Sequence, residues 1–223
     1  ASVTLTWDLA QVPAGLPVSL WDCQAGQRVD MRSQSSYTFT SGAADSVRGV
    51  EIQVGAWEVT TSVCAPWSLL SLPVNPGTTD PAQVFAGTTP LVTYTWTGTG
   101  YGSVNGPLSM GQGFWFGSET QRQVSVSGTP NAGPFSLSLS AQPGWNLIGY
   151  PFSETTMPVS SLRFQQGATT KTFDEAVAAG WVVPYLWGWR CGQGYALHWS
   201  RDLVEPWNGY WFFALQGGLT MEI

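Results

Sequence analysis

The chain has 223 residues, enough for one large β domain or two to three small ones with a sizeable core. Charged side chains make up only 10% of it while Gly, Ser, Thr and aromatics abound, which disfavours helical bundles and charge-driven disorder. With 8 basic and 14 acidic residues the net charge is -6, so the footprint of a nucleic-acid binder or of a protein adhering to an anionic membrane is missing. No apolar run approaches the ~18 residues of a membrane span, and nothing resembles a signal peptide, as in a mature chain or a piece of a longer one. One histidine, His198, and three cysteines without CxxC spacing supply no zinc set, and no cofactor is expected.

Residues 1–60 read as a small sandwich. Val3, Leu5, Trp7 and Leu9 alternate with polar residues, the period of a strand with one buried face. After a turn at Val12-Pro13-Ala14-Gly15, strands are expected at Pro17–Asp22, Arg28–Met31, Ser36–Thr40 and Val50–Val54, with a loop at Gly42-Ala43-Ala44-Asp45. Short strands at about ten-residue spacing predict an immunoglobulin-like β-sandwich.

The remainder reads as a duplication, with repeat one over residues 61–134 and repeat two over 135–223. Pro66-Trp67-Ser68-Leu69-Leu70-Ser71-Leu72-Pro73 matches Gly144-Trp145-Asn146-Leu147-Ile148-Gly149-Tyr150-Pro151, and Gly113-Phe114-Trp115-Phe116 matches Gly209-Tyr210-Trp211-Phe212. Between them, Tyr94-Thr95-Trp96 aligns with Tyr185-Leu186-Trp187, followed by Tyr101 and Tyr195. In the first repeat a helical turn is expected within Ala82–Gly87 and a strand at Val124–Gly128; Thr129–Pro134 reads as a joint that breaks regular structure. The second repeat is longer by about 13 residues between Pro151 and Tyr185. That insertion carries the one convincing helix, about 173–179, with Thr172 and Glu175 as a capping box and Gly180 as its stop. Four further strands are expected, over 184–189, 194–199, 209–215 and 219–223. The predicted fold class is thus all-β, an immunoglobulin-like sandwich followed by two related β units.

Two resemblances rest on these residues. The order Val-Thr-Leu-Thr-Trp, Val-Pro-Ala-Gly, Val-Ser-Leu-Trp-Asp and Tyr-Thr-Phe in the first quarter resembles the immunoglobulin-like modules near the ends of large bacterial secreted and cell-surface proteins. Gly144–Pro151 with Glu205–Trp211 is similar to the tryptophan-opened, aromatic-closed β modules (Gly-Trp-Asn-Leu, then Pro-Trp-x-Gly-Tyr-Trp) of bacterial surface and extracellular proteins. The first repeat departs from that pattern at Ser68 and at Met110-Gly111. The resemblance implies a secreted or cell-surface location and a non-catalytic role.

Several constellations bear on chemistry. The aromatics of the second repeat, among them Trp181, Tyr185, Trp187, Tyr195, Tyr210 and Trp211, read mainly as core, because Tyr210 and Phe212 point opposite to Trp211 and Phe213 in a strand apolar on both faces. Trp189, Trp199 and Trp207 are the expected exposed platforms for sugar rings, with Asn208, Asp202 and Arg201 near enough in sequence to bond hydroxyls. Asp202 with Glu205, or Glu154 with either, are the carboxylate pairs a glycosidase would need, yet such acids are ordinary on loops. His198, Ser200 and Asp202 alternate onto one strand face, unlike a working triad, and the glycine-rich Gly98–Gly102 is followed by no helix to hold a phosphate. Asp30, Asp45 and Asp80 lie in separate loops without a calcium-binding pattern. Three cysteines allow one disulfide with one free thiol; a Cys23–Cys64 bridge and three buried thiols are both compatible with their positions.

These readings point to a non-enzymatic extracellular structural or adhesive module that assembles into a surface layer or fibre, its first strand pairing with a sheet edge in its own fold or a neighbour's. Its partners would be copies of itself or other surface proteins, with no nucleic acid and no membrane span. The alternative is a carbohydrate-binding module, with glycans held by the tryptophans named above.

Overall fold

The computed structural model describes residues 1–14, 16–42, 47–131 and 133–223. Gly15 of the first expected turn, Ala43, Ala44 and Asp45 of the expected loop, and Ala132 of the expected joint lie outside the described residues. The chain is all-β, built from antiparallel sheets with two short α-helices among the described residues, and it divides into two compact units, Ala1–Trp57 and Glu58–Ile223. Among the described residues no helix is long and apolar enough to cross a membrane.

The first unit contains β1 (Ser2–Thr6), β2 (Val18–Asp22), β3 (Gln27–Asp30), β4 (Ser36–Thr40) and β5 (Val50–Val54). β1 pairs with β4, whereas β2 is the centre of a sheet ordered β3-β2-β5. The alternation read at Val3 to Leu9 is therefore used within the unit itself: Val3 lies opposite Phe39, and Leu5, Trp7 and Leu9 pack on the core of Val18, Leu20, Val29, Met31 and Tyr37. The Trp7 indole N–H donates to the carbonyl of Met31 at 2.9 Å, which ties the end of β1 to the far sheet.

Asp22, at the end of β2, is fully buried. Its carboxylate accepts from the Tyr37 hydroxyl at 2.7 Å, from the Arg48 guanidinium through Nε at 2.8 Å and through a second N–H, and from the backbone N–H groups of Gln24 and Ala25. Burial pushes its pKa up, but the Arg48, Ala25, Tyr37 and Gln24 bonds together outweigh it and bring the group down from 3.8 to about 2. A depressed carboxylate contributes stability above its unfolded pKa and loses it as pH falls through the folded value. The first unit should therefore lose about 2 kcal/mol between roughly pH 4 and pH 2, at about 1.4 kcal/mol per pKa unit. Denaturant melts of the isolated residues 1–57, or of the whole chain followed by signals from this unit, check this. Asp22→Asn should be less stable at neutral pH and flat across that window; an Asp22→Asn profile as steep as the wild type would contradict it.

The second unit takes in β6 (Trp57–Val63) from its second residue on, β7 (Trp67–Ser71), β8 (Val74–Asn75), α1 (Pro81–Val84), β9 (Val92–Thr95), β10 (Gly113–Gly117), β11 (Arg122–Pro130), β12 (Ser136–Ser138) and β13 (Gly144–Gly149). It continues through β14 (Met157–Pro158), β15 (Arg163–Gln166), β16 (Thr169–Thr172), α2 (Phe173–Ala178), β17 (Tyr185–Arg190), β18 (Gly194–Trp199), β19 (Leu203–Val204), β20 (Gly209–Ala214) and β21 (Thr220–Glu222). Its first half packs the sheet β7-β10-β9 on the sheet β6-β11-β8. Leu70, Leu72, Phe114 and Phe116 from the one meet Val63, Val74, Val124 and Val126 from the other. The second half repeats the plan, with β13-β20-β17-β18 against β12-β21-β15-β16: Ile148, Leu186, Tyr210 and Phe212 meet Phe164 and Met221, and α2 adds Phe173 and Ala176.

Local signals explain several boundaries. Thr172 and Glu175 form the capping box, with the Glu175 carboxylate accepting from the Thr172 N–H at 2.9 Å, and Gly180 follows at φ +68°. α1 starts one residue before the expected turn, because Asp80 caps it and Pro81 takes the first helical position. The expected joint needs correction: Thr129 and Pro130 continue β11 and pair with Asn75 and Val74. Gly128 lets the two backbones close, since a Cβ there would lie 2.3 Å from the Asn75 carbonyl oxygen.

Candidate functional site

In both principal sheets the opening and closing strands alternate. One set of side chains faces the half's own core, and the other set faces the seam where the halves meet. The seam is built from Leu69, Trp115, Leu147 and Trp211, with Trp67, Tyr94, Trp96, Trp187 and Trp189 packed around them. Trp211, read as core from the sequence, belongs to this layer.

Contacts across the seam come in reciprocal pairs, which describe a pseudo-twofold axis. Leu70 forms a bridge with Asn208 as Ile148 does with Gln112. The Ser71 N–H donates to the Trp207 carbonyl at 2.8 Å, and the Gly149 N–H to the Gly111 carbonyl at 2.7 Å. A Cβ on Gly113 would stand 2.7 Å from the Ile148 carbonyl oxygen, and one on Gly209 would stand 2.7 Å from that of Leu70. Only glycine permits this approach, so the Gly-aromatic closings are conditions for joining the halves.

The same symmetry corrects one alignment. Trp115 lies opposite Tyr94, and Trp211 opposite Trp187, so Tyr94-Thr95-Trp96 is equivalent to Trp187-Gly188-Trp189 and not to Tyr185-Leu186-Trp187. Trp96 then pairs with Tyr101 as Trp189 does with Tyr195. Each of these tryptophans reaches into the other half. The Trp96 indole N–H donates to the Trp145 carbonyl at 2.8 Å, and the Trp189 indole N–H donates to the Trp67 carbonyl at 3.0 Å. Their rings stand edge-to-face on Trp211 and Trp115, with centroids 5.2 and 5.1 Å apart, a favoured aromatic geometry.

The result is two adjoining aromatic clefts. One, of about 540 Å³, is walled by Trp96, Tyr101, Trp145, Trp187, Tyr195 and Trp211; the other, of about 450 Å³, by Trp67, Tyr94, Tyr101, Trp115, Trp189 and Tyr195. Both volumes lie in the range of small-ligand sites. Tyr101 and Tyr195 belong to both clefts, and among the described residues no charged side chain lines either. The Tyr101 oxygen accepts from the Trp115 indole N–H at 3.1 Å, which leaves its own proton to donate. Burial holds the Tyr195 phenol above the usual range and the neighbouring Tyr101 adds to this, while the buried Trp211 indole nitrogen has no hydrogen-bond partner. Among the described residues no cluster of three or more His, Cys, Asp or Glu stands ready to hold a metal.

Comparison of the chain with known protein families, with curated proteins and with solved structures finds no match. The site is therefore read from its own geometry.

Of the five residues expected to bind a ligand, only Trp189 lines a cleft. Trp207, expected on the surface, is 8% exposed and its ring sits in the core of the first half. It occupies the left-handed region at φ +68°, where its counterpart Gly111 has φ +76°; at that second position Phe135 fills the space a side chain would take. Trp199 is half exposed on β18, but it lies outside both linings and rests on Tyr185 at 5.4 Å. Asp202 and Asn208 close turns: the Asp202 carboxylate accepts from the Trp199 N–H at 2.7 Å, and the Asn208 amide donates to Glu205 at 3.2 Å. Those bonds also engage Asp202 and Glu205, the acids considered for glycoside hydrolysis. His198 turns its ring to Tyr210, 5.2 Å away, whose hydroxyl accepts from the Glu205 N–H and whose pKa burial pushes up to about 12.

The cysteines also differ from the first expectation. Cys64 is bridged to Cys191, with Cα atoms 5.8 Å apart, while Cys23 is an exposed free thiol. Cys64 stands three residues before Trp67 and Cys191 two after Trp189, so the Trp189–Trp67 hydrogen bond and the disulfide lock the same junction. The cleft residues sequence reasoning missed are Trp67, Tyr94, Trp96, Tyr101, Trp115 and Trp145, the landmarks of the repeats themselves. Their alternation with core residues was a signal of a second face, but not of a cleft.

Proposed function

We propose that this chain is a non-enzymatic binding module of the cell exterior, secreted or surface-bound, that adheres to an uncharged glycan through the aromatic clefts. The observation that carries this reading is the composition of the cleft walls: tryptophan and tyrosine rings in both, with the phenols of Tyr94, Tyr101 and Tyr195 as polar elements and no charged side chain among the described residues. Sugar rings have apolar C–H faces that stack on such surfaces, and their hydroxyls take phenolic protons. A charged ligand would find no partner for its charge. The disulfide is in keeping with oxidising surroundings. The engagement of Asp202 and Glu205 in turns favours binding over hydrolysis. A purely structural role is the second reading, favoured by the indole–carbonyl pairs, through which the same rings hold the halves together.

Trp145 separates the two readings. It is 39% exposed, lines the larger cleft and offers only its backbone carbonyl to Trp96, so Trp145→Ala keeps that bond. On an array of neutral oligosaccharides the wild type should be retained, and Trp145→Ala should lose retention with its melting temperature within a few degrees of the wild type. Equal retention of the two proteins, or none by the wild type, would contradict the binding reading.

A further inference from the structure

We propose that the two clefts are halves of one continuous site, in which a single linear neutral oligosaccharide lies across the pseudo-twofold axis. Tyr101 and Tyr195 donate hydroxyl protons to its middle, and the tryptophans of each cleft stack its flanking sugars. This rests on the glycan-binding reading above and adds ligand length, stoichiometry and the role of the tyrosine pair.

Three observations carry it. First, Tyr101 and Tyr195 each line both clefts, so the two spaces adjoin at that pair. Second, the Tyr101 phenol is oriented by an indole, with Trp115 donating to its oxygen at 3.1 Å, whereas the counterpart Trp211 indole nitrogen is buried without a hydrogen-bond partner. The Tyr101 oxygen already accepts from the protein, so its own O–H remains to donate to a ligand in the clefts it lines. Ring contacts reinforce this placement, with Tyr101 6.4 Å from Trp211 and Tyr195 6.3 Å from Trp115, so each tyrosine leans on the other half's closing tryptophan. Third, tryptophans line both clefts and the two shared phenols stand where the clefts adjoin, which suits a chain whose sugar faces stack at both ends while hydroxyls meet donors at the centre. The ends are not identical, since Trp187 of the larger cleft stands where the smaller has Tyr94. A ligand with a reducing and a non-reducing end thus has a preferred direction.

The test is isothermal titration of the full chain with soluble cello- and chito-oligosaccharides of two to six sugars, and with decaproline as a non-sugar ligand suited to aromatic grooves. One site predicts one ligand per chain, and affinity in one of the sugar series rising at least about tenfold from dimer to hexamer, as linked contacts do. Tyr101→Phe and Tyr195→Phe should each weaken the hexamer by about 3- to 10-fold, the loss of one hydrogen bond, while the dimer responds less. Trp145→Ala should bring the hexamer down to the affinity of the dimer. Two equivalents of ligand per chain with no length dependence would overturn the single site and leave the glycan reading standing. No binding of any oligosaccharide by the folded chain, or binding of decaproline alone, would overturn both.

Discussion

Replacing Trp207 by alanine should destabilise the second unit by about 3–5 kcal/mol, the cost of deleting a buried indole from a packed core. The ring is supplied by the second half of the unit but packs with Leu70, Leu72, Phe114 and Phe116 of the first, so its loss opens a cavity in one half and unties the other. Its backbone carries the Ser71 N–H across the seam, and its φ of +68° is unfavourable for a residue with a Cβ. Trp207→Gly relieves that backbone strain and leaves the same cavity, so it should recover part of the loss. Trp199→Ala is the matched control: half exposed and resting on one ring, it should change stability by about 0.5 kcal/mol or less. Urea unfolding followed by far-ultraviolet circular dichroism measures all three. Equal midpoints for Trp207→Ala and Trp199→Ala would contradict the placement of Trp207.

Removing the disulfide comes next in size. The Cys64–Cys191 bridge spans 127 residues, and in the chain-entropy view a loop of that order is worth roughly 4–5 kcal/mol, with 2–5 kcal/mol the usual loss on removal. The double change Cys64→Ser, Cys191→Ser should lower the melting temperature of the second unit. Reductant should bring the wild type to the same value and leave the variant unmoved. The smaller cleft should suffer more than the larger, because Trp67 and Trp189 are held beside the bridge, whereas at the junction of Trp145 with Trp96 the position equivalent to Cys191 is Gly98. A wild type whose melting is indifferent to reductant would show that the bridge does not tie the halves.

How much of this was legible in the sequence depends on how local each signal is. The capping box at Thr172 and Glu175 is complete within four residues and set the helix correctly. The paired landmarks around Trp67 and Trp145, and around Trp115 and Trp211, identified the strands that meet at the seam, because alternation reports which faces are apolar. The strands Arg163–Gln166 and Thr169–Thr172 were missed because they are polar throughout, except for Phe164 turned into the core. The Tyr94–Trp187 equivalence slipped by two residues because Tyr185-Leu186-Trp187 and Trp187-Gly188-Trp189 both fit an aromatic-x-Trp pattern, and only pairing with the closing strand decides between them. Trp207 misled for a related reason. A Pro-Trp-Asn-Gly turn looks exposed unless the pocket that receives its ring is known, and that pocket lies in residues some 80 to 140 positions earlier. The clefts combine both difficulties, since each wall mixes rings from the two halves.

The most direct measurement is the ¹H–¹⁵N spectrum of the indole N–H groups, assigned by single Trp→Phe variants and followed as cellohexaose or chitohexaose is added to the full chain. Signals of Trp145 and Trp187 from the larger cleft and of Trp67 from the smaller should move together along one binding curve, while Trp7, Trp21 and Trp207 stay in place. Movement of Trp199 alone, or a spectrum unchanged by either sugar, would contradict a glycan site shared between the two halves.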